Sequence, residues 1–188
     1  MPKFKIGVFG SAVGVDAEIN KKAYEIGKSI GEAGCALVTG GCAAGLPYEA
    51  ARGIASVSGE SIAYVPVSSK AELKADESFP IDLFTDYVFV PEDFLYKDNV
   101  VISRKYRNIG SCASCDAGII IGGRIGTVNE FTNLYDFGKV IGVLVGSGGN
   151  SDLIPEMIRK AQKDSGSRII YESDPEVLVR KIINKLEE

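Results

Sequence analysis

The sequence predicts one doubly wound α/β domain, residues 1–188, in which a parallel sheet of about seven strands carries helices on both faces. Three observations lead to this prediction. Strand-like and helix-like segments alternate along the chain, and the strand-like segments are apolar on both faces. Glycine-rich turns follow three of these segments. The chain has 188 residues, 45% of them hydrophobic, which is enough for a single core.

Three strands and two helices are predicted in the first part of the chain. The strands are residues 4–9, 35–39 and 61–65, and the helices begin near Asp16 and Tyr48. Asp16 is a favourable N-cap, and apolar residues recur at helical spacing after it.

Residues 67–84 interrupt this alternation. They are mostly polar and contain Pro80, so they predict a loop with about one helical turn. Because the segment follows the third strand, we expect it to form a mobile lid beyond the carboxyl end of that strand.

The rest of the chain predicts four more strands, each followed or preceded by a helix. The strands are residues 87–90, 117–121, 140–145 and 168–171, and the helices are residues 98–112, 128–137, 151–163 and 174–186. The helix over 98–112 is basic. Its spacing predicts a core-facing set, Ile102, Tyr106, Ile109 and Ala113. A second set shares another face: Arg104, Arg107, Asn108 and Ser111.

Composition excludes several classes of function. The net charge of −4 and the pI of about 5.1 argue against a general nucleic-acid binder. No apolar run reaches the ~18 residues that a membrane span needs, and the amino terminus runs directly into a strand without a signal peptide, so we expect a cytoplasmic protein. The chain has no histidine, which excludes Ser-His-Asp triads and histidine metal sites.

The cysteines are predicted to be free, mostly buried thiols without metal. Cys112 and Cys115 have the spacing of a redox or metal motif. A redox pair needs its first cysteine at a helix start, where the thiolate is stabilised, but Cys112 lies at a helix end. A zinc site would require Cys35 and Cys42 to converge on the same point.

The stretch from Ser103 to Phe131 is the predicted functional centre. A basic helix is followed by an apolar strand, then by a glycine-rich turn and the start of a new helix at Thr127. Helix-start N–H groups and closely approaching glycine backbone are typical of a phosphate site. The candidate phosphate-binding residues of this turn are Gly122, Gly123, Arg124, Gly126 and Thr127.

Two earlier turns, residues 10–14 and 40–45, are expected at the same edge of the sheet. Their candidate phosphate-binding residues are Gly10, Ser11, Gly40, Gly41 and Gly45. The alternative is that these glycines only permit tight strand-to-helix turns. None of the turns has the G-x-G-x-x-G spacing of a dinucleotide site or the ending of a Walker loop.

The same stretch resembles the LOG family, cytokinin-activating phosphoribohydrolases once labelled lysine decarboxylases. That family has an Arg-Lys pair on a helix and a Pro-Gly-Gly-x-Gly-Thr-x-x-Glu turn. Here Arg107-Asn108 occupies the place of the pair, Asp116-Ala117 matches the residues before the strand, and Gly126 to Glu130 match the end of the turn. The chain departs from the pattern at Gly122, Arg124 and Asn108, where the family has proline, glycine and lysine.

The resemblance implies a nucleotide-binding protein, and it implies cleavage of the N-glycosidic bond of a nucleoside 5′-monophosphate. Arg107 and Glu130 would be the catalytic residues. The basic run itself makes Arg104 the alternative to Arg107 as the arginine that binds the phosphate. No cofactor or metal is implied, and the ligand would be a small phosphorylated nucleotide, with neither nucleic acid nor membrane as a partner. The family also implies a homodimer or higher homo-oligomer. The competing hypothesis is a non-catalytic binding or carrier protein similar to molybdenum-cofactor carriers.

Both catalytic candidates have simpler interpretations. Thr127-x-x-Glu130 has the pattern of a capping box, in which Glu130 only satisfies the start of a helix. Arg107 could be a solvated helix charge, although Arg104, Lys105 and Arg107 together favour an anion site.

Overall fold

The computed structural model describes residues 1–13, 16–76, 79–80 and 82–188. It contains seven strands: β1 (Lys5–Gly10), β2 (Ala36–Thr39), β3 (Ser61–Tyr64), β4 (Asp86–Val88), β5 (Ala117–Ile121), β6 (Val140–Leu144) and β7 (Arg168–Glu172). Seven α-helices are described: α1 (Ala17–Glu32), α2 (Leu46–Ala55), α3 (Lys70–Ala75), α4 (Val100–Ser114), α5 (Ile125–Asp136), α6 (Ile154–Ala161) and α7 (Pro175–Leu186). A 3₁₀ helix, Gly149–Leu153, precedes α6.

The strands form one parallel sheet in the order β4-β3-β2-β1-β5-β6-β7. The chain lays down β1 to β4 outward in one direction, then returns through α4 and places β5 on the other side of β1. This reversal is the switch point at which open α/β sheets bind their ligands. The predicted fold class, with about seven parallel strands, is confirmed.

The two faces of the sheet bury separate apolar clusters. On one face Ile6 and Val8 of β1 pack with residues of α1, α2 and α7, such as Ile26, Ile54 and Ile182. On the other face Phe9 packs with residues of α4, α5 and α6. Successive residues of one strand point to opposite faces, and both faces are covered, which explains the continuous apolar runs. No described helix is long and apolar enough to cross a bilayer.

Helix α4 buries the face opposite to the one that was predicted to face the core. Ile102, Tyr106 and Ile109 are 36%, 39% and 51% exposed, and Ala113 is also exposed. The buried side of the helix contains small or polar residues instead, namely Ser103, Asn108, Ser111 and Cys112. Because α4 crosses the switch point, its inner side borders the site and α5 rather than a purely apolar core. The prediction of the core-facing set was therefore wrong.

Three apolar residues of the described part of 67–84 are buried in the core. Leu73 is fully buried, and Phe79 and Phe84 are 8% and 7% exposed within the cluster that contains Ile6. None of the described residues of this segment lines the cavity at the switch point. Glu77, Ser78 and Ile81 lie outside the described residues. The packing of the described part does not support a lid.

Candidate functional site

A cavity of about 260 Å³ lies at the switch point, beyond the carboxyl ends of β1 and β2 and beside the first turn of α5. Nine of the predicted site residues line it: Gly10, Ser11, Gly40, Arg104, Arg107, Arg124, Gly126, Thr127 and Glu130. Three separate turns and one face of α4 therefore converge on one space. Their convergence agrees with the predicted position of the site, and a role in binding stays a prediction.

The other predicted glycines support the walls and do not line the cavity. The Gly122 N–H donates to Ser147 Oγ at 2.8 Å, and the carbonyls of Gly122 and Gly123 accept from Ser151 and Asn150. This half of the turn is therefore tied to the segment after β6. Gly45 has φ +79°, and a Cβ there would come within 2.3 Å of Ala12 Cα. Glycine at this position therefore allows the two turns to approach each other closely. Gly41 also lies outside the cavity lining, and Gly14 lies outside the described residues.

Arg107 reaches the cavity by crossing Gly40. A Cβ added to Gly40 would lie 1.6 Å from Arg107 Nη1, so only glycine leaves room for the guanidinium in this position. Arg107 Nη1 donates to the carbonyl oxygen of Tyr64 at 3.4 Å, and its buried Nε has no partner among the described residues. The side chain is half-buried and is not the solvated helix charge of the simpler interpretation.

Glu130 is not part of a capping box. Helix α5 begins at Ile125 with Arg124 as its N-cap residue, so Thr127 is already inside the helix and Glu130 lies in its second turn. Thr127 and Glu130 are only 4% and 8% exposed. Gly122 and Gly123 precede Arg124 and are hydrogen-bonded to the segment after β6. This turn places the start of the helix earlier than predicted. The capping interpretation was wrong, and the carboxyl group of Glu130 borders the cavity.

Burial changes the acidity of Glu130. Removal from water raises its pKa from 4.5 to about 7, while the charges of Arg107 and Lys105 lower it. Desolvation therefore outweighs the nearby cations. A carboxyl group with a pKa near neutrality exchanges a proton at physiological pH, which is a property of catalytic acids and bases.

Four cations line the same cavity as this carboxyl group: Arg104, Lys105, Arg107 and Arg124. In the described part of the chain none of them has a carboxylate oxygen within 4.0 Å, whereas ten other lysines and arginines form ion pairs. The cavity is thus cationic in a protein of net charge −4. Such a cavity attracts phosphorylated ligands.

Sequence reasoning missed part of the lining. Lys105 belongs to the recognised basic run and Cys42 to the predicted 40–45 turn, whereas Pro47 and Val101 gave no signal because only the tertiary structure brings them to the cavity. Asn108, at the position of the family's lysine, is 5% exposed and also lines the cavity. Its Nδ2 donates to Asn129 Oδ1 at 3.1 Å, which ties α4 to α5.

Cys112 and Cys115 lie at the carboxyl-terminal end of α4, as predicted. Burial raises the pKa of both thiols, to about 12 for Cys115. A thiol with a raised pKa is a poor nucleophile and a poor metal ligand at neutral pH. No group of metal-binding side chains occurs among the residues that the structure describes.

Solved structures share this fold. TM1055, a structural genomics protein, is 21% identical over 97% of this chain and 99% of that chain, with a TM-score of 0.77. The molybdenum cofactor binding protein from the phototrophic bacterium Rippkaea orientalis is 22% identical over 100% and 99% of the two chains, with a TM-score of 0.75. DNA processing protein A from Helicobacter pylori, which binds single-stranded DNA, is 14% identical over 98% and 82%, with a TM-score of 0.65. These likenesses establish the fold alone.

Family membership comes from the sequence. A comparison with curated proteins gave no match. The model of the SLOG cluster4 family matches residues 3–179, nearly the whole chain. This match confirms the resemblance to the LOG-like Rossmann-type superfamily that the motifs indicated. The chain belongs to the SLOG cluster4 family.

Proposed function

We propose that the protein binds a nucleoside 5′-monophosphate and hydrolyses its N-glycosidic bond, releasing the free base and ribose 5-phosphate. The observation that carries this proposal is the pairing of a buried carboxyl group, Glu130, with a cationic cavity at the switch point. The cations would bind the phosphate, and the carboxyl group would stabilise the positive charge that develops on the ribose.

The phosphate would lie at the start of α5. The N–H groups of the first helical turn have no partner inside the helix and can therefore donate to an anion. The helix dipole also favours negative charge at this end of the helix. Gly126 and Thr127 belong to this turn and line the cavity. Arg107, held by Tyr64, would grip a phosphate oxygen from the other side.

Glu130 would act at the sugar. As the bond from C1′ to the base nitrogen breaks, its electron pair leaves with the base and positive charge develops on the ribose. The ionised carboxylate of Glu130 stabilises this charge, water adds to C1′, and a proton from that water balances the departing base. With a pKa of about 7, Glu130 is substantially ionised at neutral pH.

The test incubates the purified protein with AMP, GMP, CMP or UMP and measures the released base by chromatography. We expect release by the wild type and a loss of about 10²-fold or more in Glu130→Gln, because glutamine keeps the shape but cannot carry the charge. A glutamine variant that binds AMP but releases base as fast as the wild type would contradict the role of Glu130.

The second candidate is a non-catalytic nucleotide or cofactor carrier. Two positions favour it: Arg124 and Asn108 stand where the resembling family has glycine and lysine. Molybdenum cofactor carrier proteins of Chlamydomonas reinhardtii share the fold at 17–20% identity. Binding of a phosphorylated ligand without any base release would establish this candidate.

We also propose that the protein is a homodimer that associates through α4. Ile102, Tyr106 and Ile109 form an exposed apolar stripe at the i, i+4, i+7 spacing of one helix face. A groove lined by Tyr64, Val88, Phe89, Pro91 and other residues adjoins this stripe. Exposed contiguous apolar surface of this kind is typical of protein interfaces. Cytoplasmic location and the absence of nucleic-acid partners stay predictions.

A further inference from the structure

The cations of the cavity outnumber those that one phosphate needs. A phosphate monoester carries a charge of about −1.5 to −2 at pH 7. The cavity presents Arg104, Lys105, Arg107 and Arg124, and among the described residues that line it Glu130 is the only acid. A single phosphate would therefore leave part of the positive charge of the cavity available to a second anionic group.

The four cations lie at two depths. Arg107 is half-buried and held against the strand ends through Tyr64. Arg104, Lys105 and Arg124 are exposed at the rim. Arg104 precedes Arg107 by about one turn of α4, a rise of ~4.5 Å, so the two arginines lie at different levels along this helix.

Arg124 does not obstruct the turn that it occupies. The Gly122 N–H donates to Ser147 Oγ, and the carbonyl groups of Gly122 and Gly123 accept from the backbone N–H groups of Ser151 and Asn150. As the N-cap residue of α5, Arg124 makes no side-chain capping bond, and its exposed side chain lines the cavity. Its guanidinium has no carboxylate partner among the described residues. It is therefore an added cation at the rim and is free to meet a second anionic group.

We infer that the site has a second anion subsite, formed by Arg124 with Arg104 and Lys105, and that its preferred ligand is a nucleotide with a diphosphate group. This inference rests on the proposed function, because it places the inner phosphate at the start of α5 and adds an outer phosphate at the rim. The inner phosphate meets Arg107 and the first turn of α5. The outer phosphate meets the three exposed cations.

The experiment measures dissociation constants of ADP, AMP and pyrophosphate by isothermal titration calorimetry at one fixed ionic strength. The wild type is expected to bind ADP at least about tenfold more tightly than AMP, which corresponds to one added charge-assisted contact. Arg124→Gln should reduce this ratio to below about threefold. Arg180→Gln, which removes an exposed arginine of α7 far from the cavity, is the matched control and should keep the wild-type ratio.

The outcomes separate this inference from the proposed function. Equal affinities for AMP and ADP in the wild type would overturn the second subsite and leave nucleotide binding intact. Equal loss of both affinities in Arg124→Gln would also overturn it, because Arg124 would then belong to the inner site. Failure of all three ligands to bind would overturn the proposed function itself.

Discussion

The carboxyl group of Glu130 makes stability depend on pH in a defined direction. Burial raises its pKa from 4.5 in the unfolded chain to about 7 in the folded protein. The folded state therefore holds a proton that the unfolded state has lost, and stability falls as the pH rises from about 4.5 to 7. The shift corresponds to roughly 3 kcal/mol, since one pKa unit is about 1.4 kcal/mol.

Glu130→Gln removes this dependence. We expect the free energy of unfolding of the variant, relative to the wild type, to rise by up to roughly 3 kcal/mol between pH 4.5 and 7 and to be constant below and above that window. Urea denaturation across this pH range measures it. Glu60→Gln, at an exposed position, is the control and should parallel the wild type. A constant difference between the glutamine variant and the wild type at all pH values would contradict the raised pKa.

Gly40 offers a way to displace Arg107 without removing it. An added Cβ would lie 1.6 Å from Arg107 Nη1, the mobile end of a long side chain, so Gly40→Ala should move the guanidinium at little cost in stability. We expect binding of AMP to weaken by about 1.5–3 kcal/mol, as in Arg107→Ala. Calorimetry on both single variants and the double variant tests the coupling. Additive losses would show that Gly40 acts independently of Arg107.

At the scale of elements, the sequence predicted the segments better than their boundaries and orientation. The predicted strand at residues 117–121 and the cap at Asp16 agree with the structure, because apolar runs and capping side chains are local signals. Helix α5 starts earlier than the Thr127 pattern indicated, since the hydrogen bonds of Gly122 and Gly123 to the segment after β6 fix its entry. Those bonds join parts of the chain that are distant in sequence.

Helix α4 shows why an apolar stripe does not identify the core. Its spacing is amphipathic in the way the sequence indicated, but the polar side faces inward toward the cavity and α5. Periodicity defines which residues share a face, and it does not define which face is buried. Here the inward side carries Arg107 and Asn108, which both line the cavity at the switch point.

At the scale of the whole molecule, the outward apolar stripe of α4 predicts self-association. Ile109→Asp places a charge in the proposed interface, so the wild type should be a dimer and the variant a monomer in light scattering. Because Ile109 is 51% exposed, the variant should lose little stability as a monomer. Leu153→Asp changes another residue that is 51% exposed and should remain dimeric. A monomeric wild type, or equal disruption by both changes, would contradict this interface.

The sequence by itself determined the alternation of strands and helices, the parallel sheet and the turns that approach the site, because each depends on local periodicity and glycine or capping residues. It also indicated the basic run and Glu130 through a continuous motif. Only the tertiary structure decided that Gly41, Gly45, Gly122 and Gly123 support the walls rather than line the cavity. It also decided that Glu130 is buried and Arg124 exposed. Burial and electrostatic environment depend on groups from separate strands meeting at the switch point, and no local pattern encodes that meeting.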